Sequence, residues 1–176
     1  MDELLVGMAP CIDTRTIVLV LGSMPGFESL KQSRYYAHAR NRFWPMMESL
    51  LGIPAQSDYE EKIHLLNDAG VGLWDVIASC KREGSLDAGI DVSSEIYNEF
   101  EDSLRSRFRV SRICCNGLKA YDSFMRRIMP NLPGDIVARL EVFCLPSTSP
   151  ANASFKMDDL LLPWSMAFKG LCRPYS

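Results

Sequence analysis

The 176-residue sequence has little of what metal-dependent and covalent catalysis require. It holds only 2 histidines, and none of its 6 cysteines is paired with another at C-x-x-C spacing, so we expect neither a zinc nor an iron–sulfur site. It also lacks a G-x-S-x-G elbow, a P-loop lysine and a G-x-G-x-x-G fingerprint. These absences argue against a metal, a cofactor and a serine-hydrolase triad.

Long apolar runs and a basic leader are missing as well. No apolar stretch reaches the length that spans a bilayer, and residues 1–10 lack the basic region and apolar core of a signal peptide. We therefore expect a cytoplasmic protein, nucleoid-associated if bacterial, with no membrane partner. At 176 residues and 47% hydrophobic content, the chain suits a single domain over 1–176, which we expect to be a monomer.

Acidic residues are absent from one segment of an otherwise acidic chain. The net charge of −3 argues against wholesale electrostatic capture of nucleic acid. Between Glu28 and Glu48, however, there is no acid. That segment mixes basic and aromatic side chains: Lys31, Arg34, Tyr35, Tyr36, His38, Arg40, Arg42, Phe43 and Trp44. Such a mixture suits phosphates and bases, although Phe43 and Trp44 also fit the start of an apolar core helix.

Hydrophobic patterning predicts strands that alternate with helices. Buried strands are predicted over 16–21, 71–77, 110–115 and 141–145. Helices are predicted over 43–51, 94–108, 118–129 and 155–168, and another between a Ser57–Glu60 capping box and Gly70. This alternation predicts an α/β fold, a three-layer α/β/α sandwich with a four-stranded parallel sheet.

Polar clusters follow each predicted strand, at 22–26, 74–75, 116–117 and 146–152. In an open parallel sheet these positions meet at one edge, where ligands bind. Asp75 there fits either a base or a turn cap. Asn41 and Asn116 are neutral, so they can orient water but cannot act as nucleophiles. Such a site suits a substrate that leaves almost unaided, through an oxocarbenium ion.

Five segments carry a family resemblance, and they occur in order along the chain: 22–26 (GSMPG), 35–44 (YYAHARNRFW), 72–76 (GLWDV), 81–87 (KREGSLD) and 145–153 (LPSTSPANA). Together they resemble the uracil-DNA glycosylase superfamily, and within it the hypoxanthine-DNA glycosylase branch. The resemblance implies hydrolysis of the N-glycosidic bond of deoxyinosine in single- or double-stranded DNA. The base would flip out of the stack, water would attack, and an abasic site would remain.

The resemblance also assigns roles to individual residues. Base binding falls to the turn of Gly22, Ser23 and Met24 through backbone N–H groups, and to Tyr36 through stacking. DNA binding falls to the residues Arg40, Ser147, Thr148, Ser149 and Asn152.

Two positions depart from the superfamily pattern. Met24 stands where most members carry Asp or Asn to handle the attacking water, and Ser147 stands where others place His or Asn. The resemblance to the hypoxanthine branch implies that Asn41 positions the water instead, with Asn116 as the second candidate.

Three alternatives remain open from sequence. Asn41 can cap the helix that starts near Phe43, because Asn is favoured at such starts. The substrate can be uracil or thymine opposite guanine, since the NRFW segment is also similar to mismatch-specific uracil-DNA glycosylases. The chain can also be a non-catalytic nucleic-acid-binding module that lost its chemistry with Met24.

Overall fold

The computed structural model describes residues 4–170. The strands are β1 (Leu4–Val6), β2 (Val18–Gly22), β3 (Val71–Asp75), β4 (Ile77–Lys81), β5 (Ile96–Tyr97), β6 (Arg112–Asn116) and β7 (Glu141–Leu145). The helices are α1 (Phe27–Gln32), α2 (Phe43–Leu51), α3 (Tyr59–Asp68), α4 (Phe100–Ser106), α5 (Leu118–Ser123), α6 (Gly134–Val137) and α7 (Met157–Phe168). Within these residues, no helix is both long and apolar enough to cross a bilayer.

A four-stranded parallel sheet in the order β3-β2-β6-β7 forms the centre of the fold, as predicted. Strand β2 lies inside it and is buried at Val18, Leu19, Val20 and Leu21, which explains its unbroken apolar sequence. The register pairs Gly22 with Asp75 on one side and Leu21 with Cys115 on the other. The carboxyl ends of the strands therefore reach one edge together.

Helices cover both faces of this sheet, which confirms the predicted three-layer arrangement. On one face, α2, α3 and α7 pack around fully buried Phe43, Met46 and Trp164. On the other face, α4, α5 and the wide turn that continues α5 pack around Phe100 and Phe124. The cysteines of the central sheet differ in burial. Cys114 and Cys115 are buried, whereas Cys144, which lies in the predicted buried strand 141–145, is exposed.

A second sheet was not predicted. Strands β1, β4 and β5 form an antiparallel sheet in the order β1-β4-β5. The predicted strand over 71–77 is therefore wrong at its end, since β3 stops at Asp75 and the chain enters the second sheet at Ile77. The Val76 N–H donates to the Gly22 carbonyl and the Ile77 N–H to the Ser23 carbonyl at this bend. The sequence did not reveal it, because only Val76 separates the two strands and no glycine or proline marks the change.

Two predicted helix starts are also wrong. The helix predicted over 94–108 is confined to Phe100–Ser106, because Ile96 pairs with Ser79 in the second sheet. The Ser57–Glu60 capping box does not form, since α3 begins after Asp58 and has no side-chain cap. Helices α1 and α6 were not predicted, and each is only six residues or fewer in length.

Close packing at Gly72 provides a test of the fold. A methyl group on Gly72 would lie 2.1 Å from Ile12 Cγ2 and 3.0 Å from Thr16 Cγ2. We therefore expect Gly72→Ala to lower the free energy of unfolding by roughly 1–3 kcal/mol, measured by urea denaturation. Gly134→Ala is the control, because nothing lies within 4 Å of its added methyl. Equal stability of the two variants would contradict this packing.

Candidate active site

Arg42 ties the loop after β7 to the start of α2. Its backbone N–H donates to the Thr148 carbonyl at 3.1 Å. Its guanidinium donates to backbone carbonyls of the same loop: Ser149 at 2.8 Å, Asn152 at 2.9 Å, Ser147 and Thr148 at 3.4 Å each, and Phe155. The planar fork of five N–H donors suits this cluster of carbonyls. The segments 41–44 and 147–155 are therefore held together, as the sequence predicted for one cleft.

Asn116 makes the second tie to this loop. Its Nδ2 donates to Thr148 Oγ1 and its Oδ1 accepts from the Thr148 N–H, both at 2.9 Å. Thr148 is fully buried, so the predicted contact of this residue with DNA does not run through its side chain. Asn116 is the last residue of β6, and its pairing with Thr148 therefore fixes the loop onto the sheet edge.

The other predicted DNA-binding side chains of the loop help to shape it. Ser147 Oγ accepts from the Ser149 N–H, and Ser149 Oγ accepts from the Ala151 N–H, both at 3.2 Å. The Asn152 amide donates to the Ser147 carbonyl at 3.0 Å. Each serine accepts here, so its hydroxyl proton can still be donated to a phosphate oxygen.

The predicted base-binding turn at 22–26 is braced by the loop 81–87. Ser23 Oγ donates to Asp87 at 2.6 Å, and the Arg82 guanidinium donates to the Pro25 carbonyl at 2.8 Å. The Phe27 N–H donates to Ser85 Oγ at 3.2 Å. These contacts fix the backbone of the turn before any ligand arrives.

Met24 faces away from the solvent, into the second sheet. It is 6% exposed and packs with Ile77, Cys80 and Ile90. Its side chain therefore anchors the turn, and a base at this turn would meet backbone N–H groups of 22–24 rather than the thioether.

Tyr36 lies above the sheet edge with one face covered. Its ring stacks on Phe43 with centroids 3.9 Å apart, and it packs against the core while remaining partly exposed. Burial raises the pKa of its hydroxyl, and the adjacent Asn116 amide opposes part of that rise. Tyr36 also has φ of 57°, a left-handed conformation that is costly for a residue other than glycine. The protein maintains this conformation to hold the ring in place.

Asn41 caps the start of α2, as one of the sequence alternatives proposed. Its Oδ1 accepts from the Phe43 N–H at 2.9 Å. Its Nδ2 makes no hydrogen bond to a residue within 4–170, and its Oδ1 has a second lone pair. The cap therefore leaves the amide able to hold a water molecule.

A basic and aromatic surface adjoins Tyr36 and Asn41. Arg40 is exposed on the same loop. Beside the loop lies a cavity of about 310 Å³, where Lys62 Nζ sits 4.8 Å from the Trp44 ring and the Arg34 guanidinium 5.5 Å from the Tyr59 ring. Arg34 and Lys62 therefore supply positive charge and aromatic contacts beside the site, and Arg34 is also paired with Glu60 at 3.8 Å.

Asp75 is the buried acid of the site, only 3% exposed. Burial first, and the negative charge of Asp87 second, raise its pKa from 3.8 to about 7, while the Tyr35 hydroxyl and the Arg82 guanidinium oppose the rise. Its Oδ2 has no hydrogen-bond partner among the residues that the structure describes. A carboxyl in this setting can hold a proton near neutral pH.

Sequence reasoning did not assign the roles of Arg42 and Asp87. Arg42 was one of several basic residues, and nothing in the sequence distinguishes it from exposed Arg40. Asp87 belongs to the segment 81–87, which is one of the five segments that resemble the superfamily. That resemblance was the only indication in the sequence that Asp87 belongs to the site. In the described part of the chain, no group of three or more His, Cys, Asp or Glu side chains is arranged to hold a metal ion.

The comparison with known families decides the identity of the fold. The model of the uracil DNA glycosylase superfamily matches residues 9–166. The chain belongs to that superfamily. The match spans the turn at 22–26, Asn41, Asn116 and the loop at 146–152, so the superfamily assignment includes every segment of the site.

Three relatives support the assignment of this superfamily member. It is 34% identical over 152 residues to the hypoxanthine DNA glycosylase of Methanosarcina acetivorans, covering 85% of this chain and 89% of the relative. It is 35% identical over 123 residues to the hypoxanthine DNA glycosylase of Methanosarcina barkeri, covering 68% and 77%. It is similar, with a TM-score of 0.80, to the solution NMR structure of a candidate uracil DNA glycosylase from Methanosarcina acetivorans. That structure is 30% identical and the match covers 96% of this chain and 99% of the other.

From the Arg42 contacts we expect residues 147–155 to become less ordered when the guanidinium group is removed. Arg42→Lys keeps the charge but cannot reach the same set of carbonyls. We expect the unfolding free energy to fall by about 1–3 kcal/mol and amide exchange in 147–155 to become faster, measured by urea denaturation and hydrogen exchange.

Arg40→Lys is the matched control, because Arg40 is exposed and its side chain makes no hydrogen bond or ion pair within residues 4–170. Its stability should change by no more than about 0.5 kcal/mol. Similar exchange rates in 147–155 for both variants would contradict the role of Arg42.

The raised pKa of the Asp75 carboxyl leads us to expect that stability depends on pH. Because its pKa is raised in the folded protein, the contribution of Asp75 to stability is greatest below about pH 4 and is lost as pH rises toward 7. Each pH unit in that window costs up to about 1.4 kcal/mol from this group. We expect Asp75→Asn to unfold at higher denaturant concentration than the wild type at pH 8, with the advantage disappearing near pH 4. An unchanged difference between the two proteins across this range would refute the raised pKa.

Proposed function

We propose that the protein removes hypoxanthine from deoxyinosine in DNA and leaves an abasic site without cutting the strand. Two relatives that match most of this chain are named hypoxanthine DNA glycosylases, which supports this substrate. Membership of the uracil DNA glycosylase superfamily supports the reaction class.

The observation that carries the proposal is the convergence of three segments at one sheet edge. The turn at 22–26, the segment 36–42 and the loop 146–152 are brought together by Arg42, Asn116 and the strand register. A base, its sugar and the flanking phosphates need three different surfaces. The turn presents backbone donors, Tyr36 presents a ring, and the serines of the loop present hydroxyl donors.

Binding begins, in this proposal, with the phosphates. Exposed Arg40 supplies charge, and the loop at 147–152 supplies hydroxyl donors in a fixed conformation. The target nucleotide then rotates out of the stack, which costs a few kcal/mol and least for a mispaired base. Hypoxanthine pairs weakly with thymine, and this weakness favours its extrusion.

The flipped base then meets Tyr36 and the turn. The backbone N–H groups of 22–24 are fixed by Arg82 and Asp87 and donate to the purine O6. These donors stabilise the electrons that move onto the base as the glycosidic bond breaks, and they need no reorganisation during the reaction.

Asn41 is the better placed of the two asparagines to position the water. Asn116 uses both of its side-chain groups on Thr148, whereas the Asn41 amide nitrogen makes no hydrogen bond within the described residues. The water would attack C1′ of an oxocarbenium-like sugar, so orientation is sufficient and a strong base is not needed. Asn116 remains the second candidate.

One experiment tests the function. Duplexes that contain inosine or uracil at one position are incubated with the protein, and alkali then cleaves any abasic site. We expect cleavage of inosine-containing DNA only after alkali. Binding without abasic product would favour a non-catalytic module, and faster release of uracil would favour the mismatch-specific alternative.

Substitutions at Asn41 separate its cap from its catalysis. Asn41→Asp keeps an oxygen for the Phe43 N–H but loses the amide, whereas Asn41→Ala loses both. We expect Asn41→Ala to excise hypoxanthine about 100- to 1,000-fold more slowly in single turnover while still binding the duplex, and Asn41→Asp, which keeps an acceptor for water, to lose less activity. Only the alanine variant should lose about 1 kcal/mol of stability. Near-normal excision by Asn41→Ala would transfer the water to Asn116.

A further inference from the structure

Three positions line up across the carboxyl edge of the parallel sheet. Gly22 of β2 pairs with Asp75 of β3, and it lies one residue beyond the Leu21–Cys115 pair, next to Asn116 of β6. Side chains two residues apart on a strand point to the same face. Leu73 and Cys114, two residues earlier, lie in the core beneath α2, so Asp75 and Asn116 point to the face that Tyr36 covers.

The carboxyl of Asp75 lies over Gly22. A methyl group on Gly22 would come within 2.4 Å of Asp75 Oδ1. The other oxygen, Oδ2, is buried and has no hydrogen-bond partner in the described chain. Leaving such an atom unpaired costs folding free energy, and buried carboxyls of this kind concentrate at functional sites. The carboxyl thus sits beside Gly22, where the turn at 22–24 begins.

We propose that Asp75 is a further catalytic residue, the general acid that protonates N7 of hypoxanthine as the glycosidic bond breaks. This inference rests on the proposed function. In a 6-oxopurine, O6 and N7 share one edge. When the turn at 22–24 holds O6, N7 on the same edge meets the group that lies over Gly22, and that group is Asp75.

Proton transfer from Asp75 accompanies cleavage of the glycosidic bond. The electron pair of the C1′–N9 bond moves onto the purine, and the proton of Asp75 moves to N7, so hypoxanthine leaves neutral. A water oxygen bonds to C1′ and releases its proton to solvent. Asp75 then regains a proton from solvent. A protonated purine is a far better leaving group than its anion, and general acids of this kind contribute about 100- to 10,000-fold in rate.

The protonation of Asp75 depends on the groups that face it. The charged ones are Asp87, which disfavours ionisation, and Arg82, which favours it. The neutral ones are Tyr35, Tyr36 and Cys11, whose own pKa values are raised by burial. Asp87 is exposed and accepts from Ser23 Oγ, so it can be altered without disturbing the core.

Single-turnover excision of hypoxanthine between pH 5.5 and 9 tests the proposal. The wild type should slow about tenfold per pH unit above a midpoint near 7. Asp75→Asn should be at least about 100-fold slower at pH 6 and lack this decline. Asp87→Asn, in which the side-chain oxygen can still accept from Ser23 Oγ, should move the midpoint of the decline to lower pH. An unaltered pH profile in Asp75→Asn, or an unmoved midpoint in Asp87→Asn, would overturn the proposal.

A modified substrate tests the same step with the wild-type protein, so the result does not depend on the folding of a variant. A duplex with 7-deazahypoxanthine lacks the N7 acceptor. We expect its excision to be slow and independent of pH above 6, and Asp75→Asn should not slow it further. Rapid excision of this base would exclude protonation at N7. Absence of hypoxanthine release by the wild type at every pH would instead contradict the proposed function itself.

Discussion

The hydrogen bonds between the Arg42 guanidinium and the loop after β7 organise the whole site. A loop beyond a sheet edge has few backbone partners of its own, and its carbonyls must be satisfied by other groups. Arg42 supplies donors from the start of α2, a helix anchored in the core by buried residues that include Phe43, Met46 and Leu51. Since Asn41 precedes Arg42 and Phe43 follows it, the Arg42 bonds place the loop next to the Asn41 cap and to the Tyr36–Phe43 ring stack.

Some charged side chains of this protein face solvent, whereas others bind groups within the protein. The net charge is −3, yet Arg40 faces solvent while its near neighbour Arg42 is directed at protein carbonyls. Acidic groups are divided in the same way, because Asp87 holds the turn at 22–26 and influences the proton affinity of buried Asp75. Met24 fits this plan: without a polar side chain there, the turn gains an apolar anchor in the second sheet.

Sequence patterns were sufficient for the central sheet and for the position of the site. The four strands of the parallel sheet have apolar sequences and their ends meet at one edge, so 22–26, 116 and 146–152 could be placed together, whereas Asn41 entered only through the family resemblance. The second sheet was missed because β5 has only two residues and because only Val76 separates β3 from β4, with no turn signal between them. The direction of Arg42 and the burial of Thr148 depend on contacts more than 100 and 30 residues away, respectively, which local pattern does not reveal.

The Asp75 carboxyl occupies the volume that a side chain at position 22 would need, and this restricts which residues can stand at positions 22 and 75. A side chain at position 22 would have to displace the carboxyl, whereas a smaller residue at position 75 would open the space to a larger neighbour. The two positions lie 53 residues apart in sequence, yet a substitution at one changes the space available at the other. A single substitution at either position therefore disrupts the packing, whereas a compensating pair of substitutions can preserve it.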